Sequence, residues 1–120
     1  MDNKLKKLIQ EAHEIIKPIM PEEILNNTED YYIIDVREPD EVAKSGKVVG
    51  ALNIPKGVIE TAMKLDKEVK VDQPIVVYCE SGNRAALAGK CLIEAGYTNI
   101  YNLGGFKDWV KARGQIEFAA

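Results

Sequence analysis

The sequence predicts an α/β domain whose central, mostly parallel sheet has helices on both faces. Short apolar segments rich in β-branched residues alternate with helical segments along the chain, the pattern of parallel strands joined by right-handed helical crossovers. The 120 residues suit one domain with its own core and contain no internal repeats, Gly/Ser linkers or low-complexity tracts.

The chain begins with an amphipathic helix. Apolar residues recur at helical spacing from Leu5 onward, with lysines and glutamates between them, and Pro18 ends the pattern. We assign residues 1–18 to an N-terminal helical extension and residues 19–120 to the domain itself. The apolar stripe predicts packing on the same domain or, alternatively, a homodimer or partner contact. The single histidine, His13, falls on the polar side and is assigned no catalytic role.

The remaining elements follow from the same patterns. Proline suits a helix start and glycine a helix end, which places boundaries at Pro21, Gly46 and Gly96. The predicted strands are Ile19-Met20, Tyr31 to Asp35, Ala51 to Ile54, Ile75 to Cys79 and Asn99 to Leu103. The predicted helices are Glu22 to Asn27, Glu38 to Lys44, a segment with the apolar face Val58, Ile59, Ala62, Met63 and Leu65, Ala85 to Ala95, and Phe106 to Arg113 with Trp109 and Val110 facing inward. Gly104-Gly105 is predicted to be a turn.

Cys79 stands between the end of a buried strand and the start of a helix. Unpaired N–H groups and the helix dipole stabilise an anion at this point, so they should favour a thiolate and make Cys79 a nucleophile. Gly82 should let the loop bend so that its N–H groups point inward, and Arg84 adds a positive charge. The alternative is a buried, inert cysteine that closes a core strand.

A second polar residue, Asp35, ends a neighbouring strand at the edge where open α/β sheets bind ligands.

Four segments resemble motifs of one family. Cys79-Glu-Ser-Gly-Asn-Arg84 resembles the C-x-x-G-x-R loop of single-domain rhodaneses, which are thiosulfate or persulfide sulfurtransferases. The others are Ile33-Ile-Asp-Val-Arg-Glu38, Gly50-Ala-Leu-Asn-Ile-Pro55 and Leu103-Gly-Gly-Phe-Lys-Asp-Trp109, so the resemblance covers roughly Ile19 to Glu117. It implies a rhodanese-like fold with five central strands, and a structural ion pair between Arg37 and Glu41. Lys47 replaces a histidine common in the family, and we expect its side chain to be solvated or, alternatively, to contribute positive charge near the site.

The resemblance implies that Cys79 accepts a sulfane sulfur as a persulfide. Thiosulfate or a persulfide would be the donor, and cyanide or a thiol the acceptor. The backbone N–H groups of the loop residues Glu80, Ser81, Gly82, Asn83 and Arg84 should surround the transferred sulfur. No metal or organic cofactor is expected, and the clustered Cys and His of a metal site are missing from the sequence. The expected partners are small-molecule or protein sulfur donors and acceptors.

Two other functions compete with this one. Cysteine-dependent phosphatases and arsenate reductases on the same fold use C-x5-R, whereas only four residues separate Cys79 from Arg84. The shorter loop should be too small for phosphate or arsenate. The other alternative is a rhodanese-like interaction or sulfur-carrier module without turnover. Within the sulfurtransferase hypothesis, the carboxylate of Glu80 should disfavour the dianion thiosulfate and favour a persulfide of glutathione or a protein as donor.

Composition and charge restrict the binding partners and the cellular location that the sequence predicts. The net charge is −3 with a pI near 5.2, which gives no indication of a nucleic acid or anionic membrane as partner. The longest apolar run, Ile75 to Cys79, is far shorter than the roughly 20 residues of a membrane span. The N-terminus lacks the continuous apolar core of a signal peptide, so the sequence predicts a cytoplasmic protein in which Cys79 and Cys91 are reduced.

Overall fold

The computed structural model describes residues 3–62 and 64–118, so Met63 and the two residues at each end lie outside the described residues. Helices alternate with strands as predicted. The helices are α1 (Asn3–Ile15), α2 (Pro21–Ile24), α3 (Pro39–Ser45), α4 (Lys56–Ala62), α5 (Asn83–Glu94) and α6 (Phe106–Lys111), with a 3-10 turn at Thr28–Asp30. The strands are β1 (Lys17–Pro18), β2 (Tyr32–Asp35), β3 (Lys47–Val48), β4 (Leu52–Asn53), β5 (Ile75–Cys79), β6 (Ile100–Gly105) and β7 (Ile116–Glu117).

The central sheet has five strands in the order β1-β6-β5-β2-β4, and every described pairing in it is parallel. The predicted fold class is therefore confirmed. The core strand β5 lies in the middle, which explains why all five of its residues are buried. Strands β3 and β7 form a separate antiparallel pair.

Two hydrophobic clusters flank the sheet because successive side chains of a strand point to opposite faces. Ile75, Val77 and Cys79 face the cluster formed with α4, α5 and Ile16, the residue directly after α1. Val76 and Tyr78 face the cluster formed with α2 and α6. This alternation places the sulfur of Cys79 on the side of helix α5.

Helix α1 packs against α5 of the same chain. Ala12 and Ile16 are buried, and a side chain at Gly89 of α5 would meet the Ile16 Cδ1 atom at 2.6 Å. The interpretation that this helix covers its own domain is thus confirmed for one face. Leu5 and Leu8 remain 40% and 39% exposed. A homodimer or partner contact through this helix stays a prediction.

Several predicted boundaries were wrong by a few residues. The first strand is Lys17–Pro18 instead of Ile19-Met20 because the chain pairs with β6 before it turns inward, and Pro18 is tolerated at the sheet edge. The predicted turn Gly104-Gly105 continues β6, opposite Tyr78 and Cys79. Val110, predicted to face inward, is 49% exposed, whereas Trp109 is fully buried as predicted. No helix in the described ranges is both long and apolar enough to cross a membrane.

Candidate active site

Cys79 is the last residue of β5, and helix α5 begins four residues later at Asn83. We call the connection from Cys79 to Arg84 the Cys79 loop. Its backbone folds back on the cysteine: the Gly82 N–H donates to Cys79 Sγ at 3.0 Å, and the Ala85 N–H donates at 3.4 Å. Two peptide dipoles at the start of α5 are thus directed at one sulfur atom, which is the arrangement that stabilises a thiolate.

Gly82 gives the Cys79 loop its shape. Its φ of +95° lies in the left-handed region, where a side chain would strain the backbone. A Cβ atom at this position would also approach the Gly104 Cα atom to 3.3 Å, and one at Gly105 would collide with the Glu80 carbonyl oxygen. The two glycines of β6 therefore let the loop lie directly against the neighbouring strand.

Asn102 holds the same loop from the side. Its Nδ2 atom donates to the Gly82 carbonyl at 3.2 Å, and its Oδ1 atom accepts from the Gly104 N–H at 2.8 Å. Asn102 falls within the predicted strand Asn99 to Leu103, where the sequence pattern indicates no role for it. The available signal was a polar amide in an otherwise apolar strand, since buried polar groups are held by hydrogen bonds.

Cys79 itself is fully buried, while Glu80 and Ser81 above it are exposed. Burial alone would suit the alternative of an inert core cysteine. However, an inert cysteine needs no donors, whereas here two backbone amides converge on the sulfur. The sulfur thus lies within reach of two backbone donors, beneath a thin, partly exposed loop.

Arg84 is held by a carboxylate on a different helix. Its Nη1 and Nη2 atoms donate to Glu41 Oε1 and Oε2 at 2.6 and 2.9 Å. The hydrogen bonds from Arg84 lower the pKa of Glu41 to about 2. Because both carboxylate oxygens are engaged, Arg84 fixes the end of the Cys79 loop and its charge is already neutralised.

Arg37 pairs with Asp35 and not with Glu41, so the ion pair implied by the family resemblance was wrong. The Arg37 Nη2 atom donates to Asp35 Oδ2 at 2.7 Å, and both side chains are fully buried. Its other donors reach Ser45 Oγ at 2.8 Å and the Gly46 carbonyl at 2.9 Å. Burial would lower the pKa of Arg37, but the hydrogen bond and charge of Asp35 raise it on balance.

Two other charged side chains also lie where the sequence did not place them. Glu80 is 3.5 Å from Arg37 through the Oε2 and Nη1 atoms, with its own side chain 45% exposed. Lys47 is not solvated, because its Nζ atom donates to the Ala51 carbonyl at 2.6 Å and to Glu117 at 2.8 Å. Lys47 therefore secures the pairing of β3 with β7.

Helix α1 brings an unexpected residue to the loop. The His13 Nε2 atom lies 3.1 Å from the Asn83 Oδ1 atom, across 70 positions of sequence. The local pattern around His13 predicted only a solvated helix face, and no local signal could have shown this long-range contact.

The other cysteine, Cys91, is free and partly buried, and its burial raises the pKa of the thiol. Groups of three or more potential metal ligands do not occur among the described residues.

Comparison with known proteins gives consistent matches. The family model described as Rhodanese-like domain matches residues 20–112. The uncharacterised protein YqhL of Bacillus subtilis is 38% identical over 96 residues, which cover 79% of this chain and 73% of that protein. A sulfurtransferase of Allochromatium vinosum is 36% identical over 88 residues, which cover 72% of this chain and 78% of that protein.

Two solved structures cover nearly all of this chain. A protein of Rhodopseudomonas palustris, described as of unknown function and a possible tyrosine phosphatase, superposes with a TM-score of 0.80 at 28% identity, covering 98% of this chain and 96% of that one. The polysulfide-sulfur transferase homodimer of Wolinella succinogenes has a TM-score of 0.74 at 30% identity, covering 98% and 89%. The fold of this chain thus occurs in a relative that is named for sulfur transfer.

Proposed function

The chain belongs to the rhodanese-like domain family, and on this premise we propose that it is an enzyme that transfers a sulfane sulfur through a persulfide on Cys79. The donor is thiosulfate or, preferably, the persulfide of a small thiol or a protein, and the acceptor is a thiol or cyanide. Relatives named as a sulfurtransferase and a polysulfide-sulfur transferase support this assignment.

The observation that carries the proposal is the pair of backbone amides directed at one sulfur atom. Gly82 and Ala85 donate to Cys79 Sγ at 3.0 and 3.4 Å. The N–H groups of Asn83 and Arg84, in the first turn of α5, have no acceptor inside the helix. These further donors can receive the outer sulfur of a persulfide anion, so the same loop serves the thiolate and the loaded state.

The chemistry then needs two displacements. The Cys79 thiolate attacks the outer sulfur of thiosulfate, the S–S bond of the donor breaks with its electron pair, and sulfite leaves. In the second displacement, the acceptor thiolate attacks the terminal sulfur of the Cys79 persulfide. The bond between the two sulfurs breaks, and the Cys79 thiolate is regenerated. Covalent catalysis of this type divides one difficult transfer into two easier ones.

The distribution of charge supports a persulfide donor over thiosulfate. Arg84 is neutralised by Glu41, and Arg37 by Asp35, so neither guanidinium offers its full charge to an incoming dianion. The exposed carboxylate of Glu80 adds a negative charge directly after the nucleophile. A donor with a lower charge at the reacting sulfur meets less repulsion at this loop.

Access to the sulfur requires movement of the loop. Cys79 has no exposed surface, and Glu80 and Ser81 are the exposed residues that follow it. We expect this exposed half of the Cys79 loop to move outward when a donor binds, while Arg84 stays fixed to Glu41.

A turnover assay separates the proposal from its competitors. The proposed enzyme forms thiocyanate from glutathione persulfide and cyanide, Cys79→Ser abolishes this activity, and Cys91→Ser retains most of it. The same samples are offered an aryl phosphate, because one relative of this chain is described as a possible tyrosine phosphatase. Aryl phosphate hydrolysis without sulfur transfer would contradict the proposal, and no turnover on any donor would reduce the protein to a carrier or interaction module.

A further inference from the structure

A cleft lies between the end of helix α1 and the Cys79 loop, and the proposed chemistry does not use it. Its volume is about 350 Å³, within the roughly 300–1,000 Å³ of clefts that hold small-molecule ligands. Ser81 and Gly82 form one wall. Because the amide of Gly82 donates to Cys79 Sγ at 3.0 Å, this wall is the one that separates the cleft from the sulfur.

The lining of the cleft combines apolar and polar side chains. The apolar side chains come from the segment between α1 and α2 and from β6, and are Ile16, Pro18, Ile19, Met20 and Leu103. His13, Ser81 and Asn102 supply the polar side chains. A ligand that fits this lining has a carbon skeleton to bury and polar groups at its ends, which thiosulfate and cyanide do not have.

Helix α1 places one lysine, Lys6, beside the cleft. Lys6, His13 and Asn83 line an adjoining recess of about 360 Å³. Lys6 and His13 are seven positions apart and so share one face of the helix. The contact of 3.1 Å between His13 Nε2 and Asn83 Oδ1 connects this face to the Cys79 loop. A carboxylate on the ligand would therefore lie towards the ammonium group of Lys6, away from Glu80.

From this geometry we propose that the cleft binds the organic part of a low-molecular-weight thiol carrying a carboxylate, with His13 as a residue that positions the thiol. The inference rests on the proposed function, since the thiol is the acceptor of the Cys79 sulfur. Its thiolate attacks the terminal sulfur, a new S–S bond forms on the thiol, and the electron pair of the broken bond returns to Cys79. The reaction needs no oxidant, because the acceptor thiolate becomes a persulfide while Cys79 returns to a thiolate.

The test begins from full-length protein whose Cys79 persulfide has been formed in advance, and measures its discharge to cyanide and to glutathione. In His13→Ala we expect the KM for glutathione to rise about tenfold, the effect of losing one hydrogen bond near a charged group, while discharge to cyanide is unchanged. His13→Gln can still donate to Asn83, so it should restore most of the glutathione KM. Glu14→Ala, at the exposed neighbouring position of α1, is the matched control and should behave as wild type.

A second variant tests the cleft without relying on His13. Met20 lines the cleft and is 60% exposed, so Met20→Trp should fold and narrow the space. It should raise the glutathione KM and leave cyanide discharge unchanged. Unchanged glutathione KM values in both His13→Ala and Met20→Trp would overturn the cleft assignment while cyanide discharge still supports the proposed function. Failure of the wild type to form or discharge a persulfide would overturn the proposed function itself, and the cleft assignment with it.

Discussion

Arg84 and Glu41 are joined by two parallel hydrogen bonds of 2.6 and 2.9 Å, which tie the Cys79 loop to helix α3. The arginine that follows the nucleophile is therefore engaged by the protein before any substrate arrives. This contact makes Arg84 an anchor for the loop and leaves its backbone amide, at the start of α5, for the sulfur.

Glu41→Gln should remove a stabilisation that depends on pH. The pKa of Glu41 falls from its ordinary 4.5 to about 2 in the folded protein, so the ion pair stabilises the fold above about pH 4.5 and this effect is lost as the pH falls towards 2. The side chains of Arg84 and Glu41 are 35% and 31% exposed, so water screens the ion pair. We therefore expect Glu41→Gln to lower the free energy of unfolding by about 1 kcal/mol or less at pH 7. Urea unfolding of the variant and the wild type at pH 7 and pH 2.5 measures this difference in the free energy of unfolding.

The control for this prediction is Glu60→Gln, which removes the exposed ion pair with Lys56. It should change the free energy of unfolding by only a few tenths of a kcal/mol at either pH. If Glu41→Gln destabilises the protein as much at pH 2.5 as at pH 7, the ion pair is not the source of the stability difference.

Asp35→Asn should destabilise the whole domain. The substitution leaves the guanidinium of Arg37 buried without its carboxylate, and breaking a buried ion pair in this way costs about 3 kcal/mol or more. Chemical denaturation at pH 7 measures the loss. Asp72→Asn, an exposed position, is the control. A loss below about 1 kcal/mol would mean that Ser45, Gly46 and Glu80 alone compensate the charge of Arg37.

Glu80→Lys should improve thiosulfate as a donor. The change removes the carboxylate next to Cys79 and adds a cation, so roughly fivefold higher kcat/KM is expected from about 1 kcal/mol of screened interaction. Sulfite release measures this rate. Glu94→Lys makes the same change in net charge at the far end of α5 and should have little effect. An unchanged or lower efficiency in Glu80→Lys would count against the electrostatic explanation of donor choice.

Local patterns predicted the parts of the fold that depend on nearby residues. The apolar run from Ile75 to Cys79 and the small-residue helix after it predicted the core strand, helix α5 and the position of the nucleophile between them. The conformation of Gly82 also followed from the need for a tight bend. In these segments, propensity, periodicity and tertiary environment favour the same structure.

The ion-pair partners could not be predicted in the same way. Glu41 lies four positions from Arg37, a spacing that suits a helix contact, but Arg37 precedes helix α3 and its side chain turns back to Asp35. The contacts of His13 with Asn83 and of Lys47 with Glu117 each join residues 70 positions apart. Such contacts depend on how helices and strands pack, which a local pattern does not specify.

The measurement that tests the central claim most directly is the intact mass of the protein after incubation with glutathione persulfide. The account predicts one added sulfur atom in the wild type and in Cys91→Ser, none in Cys79→Ser, and complete loss of the added mass after treatment with cyanide. An added sulfur that persists in Cys79→Ser, or a wild-type mass that never changes, would contradict the claim that the amides of Gly82 and Ala85 hold a sulfur-carrying thiolate at Cys79.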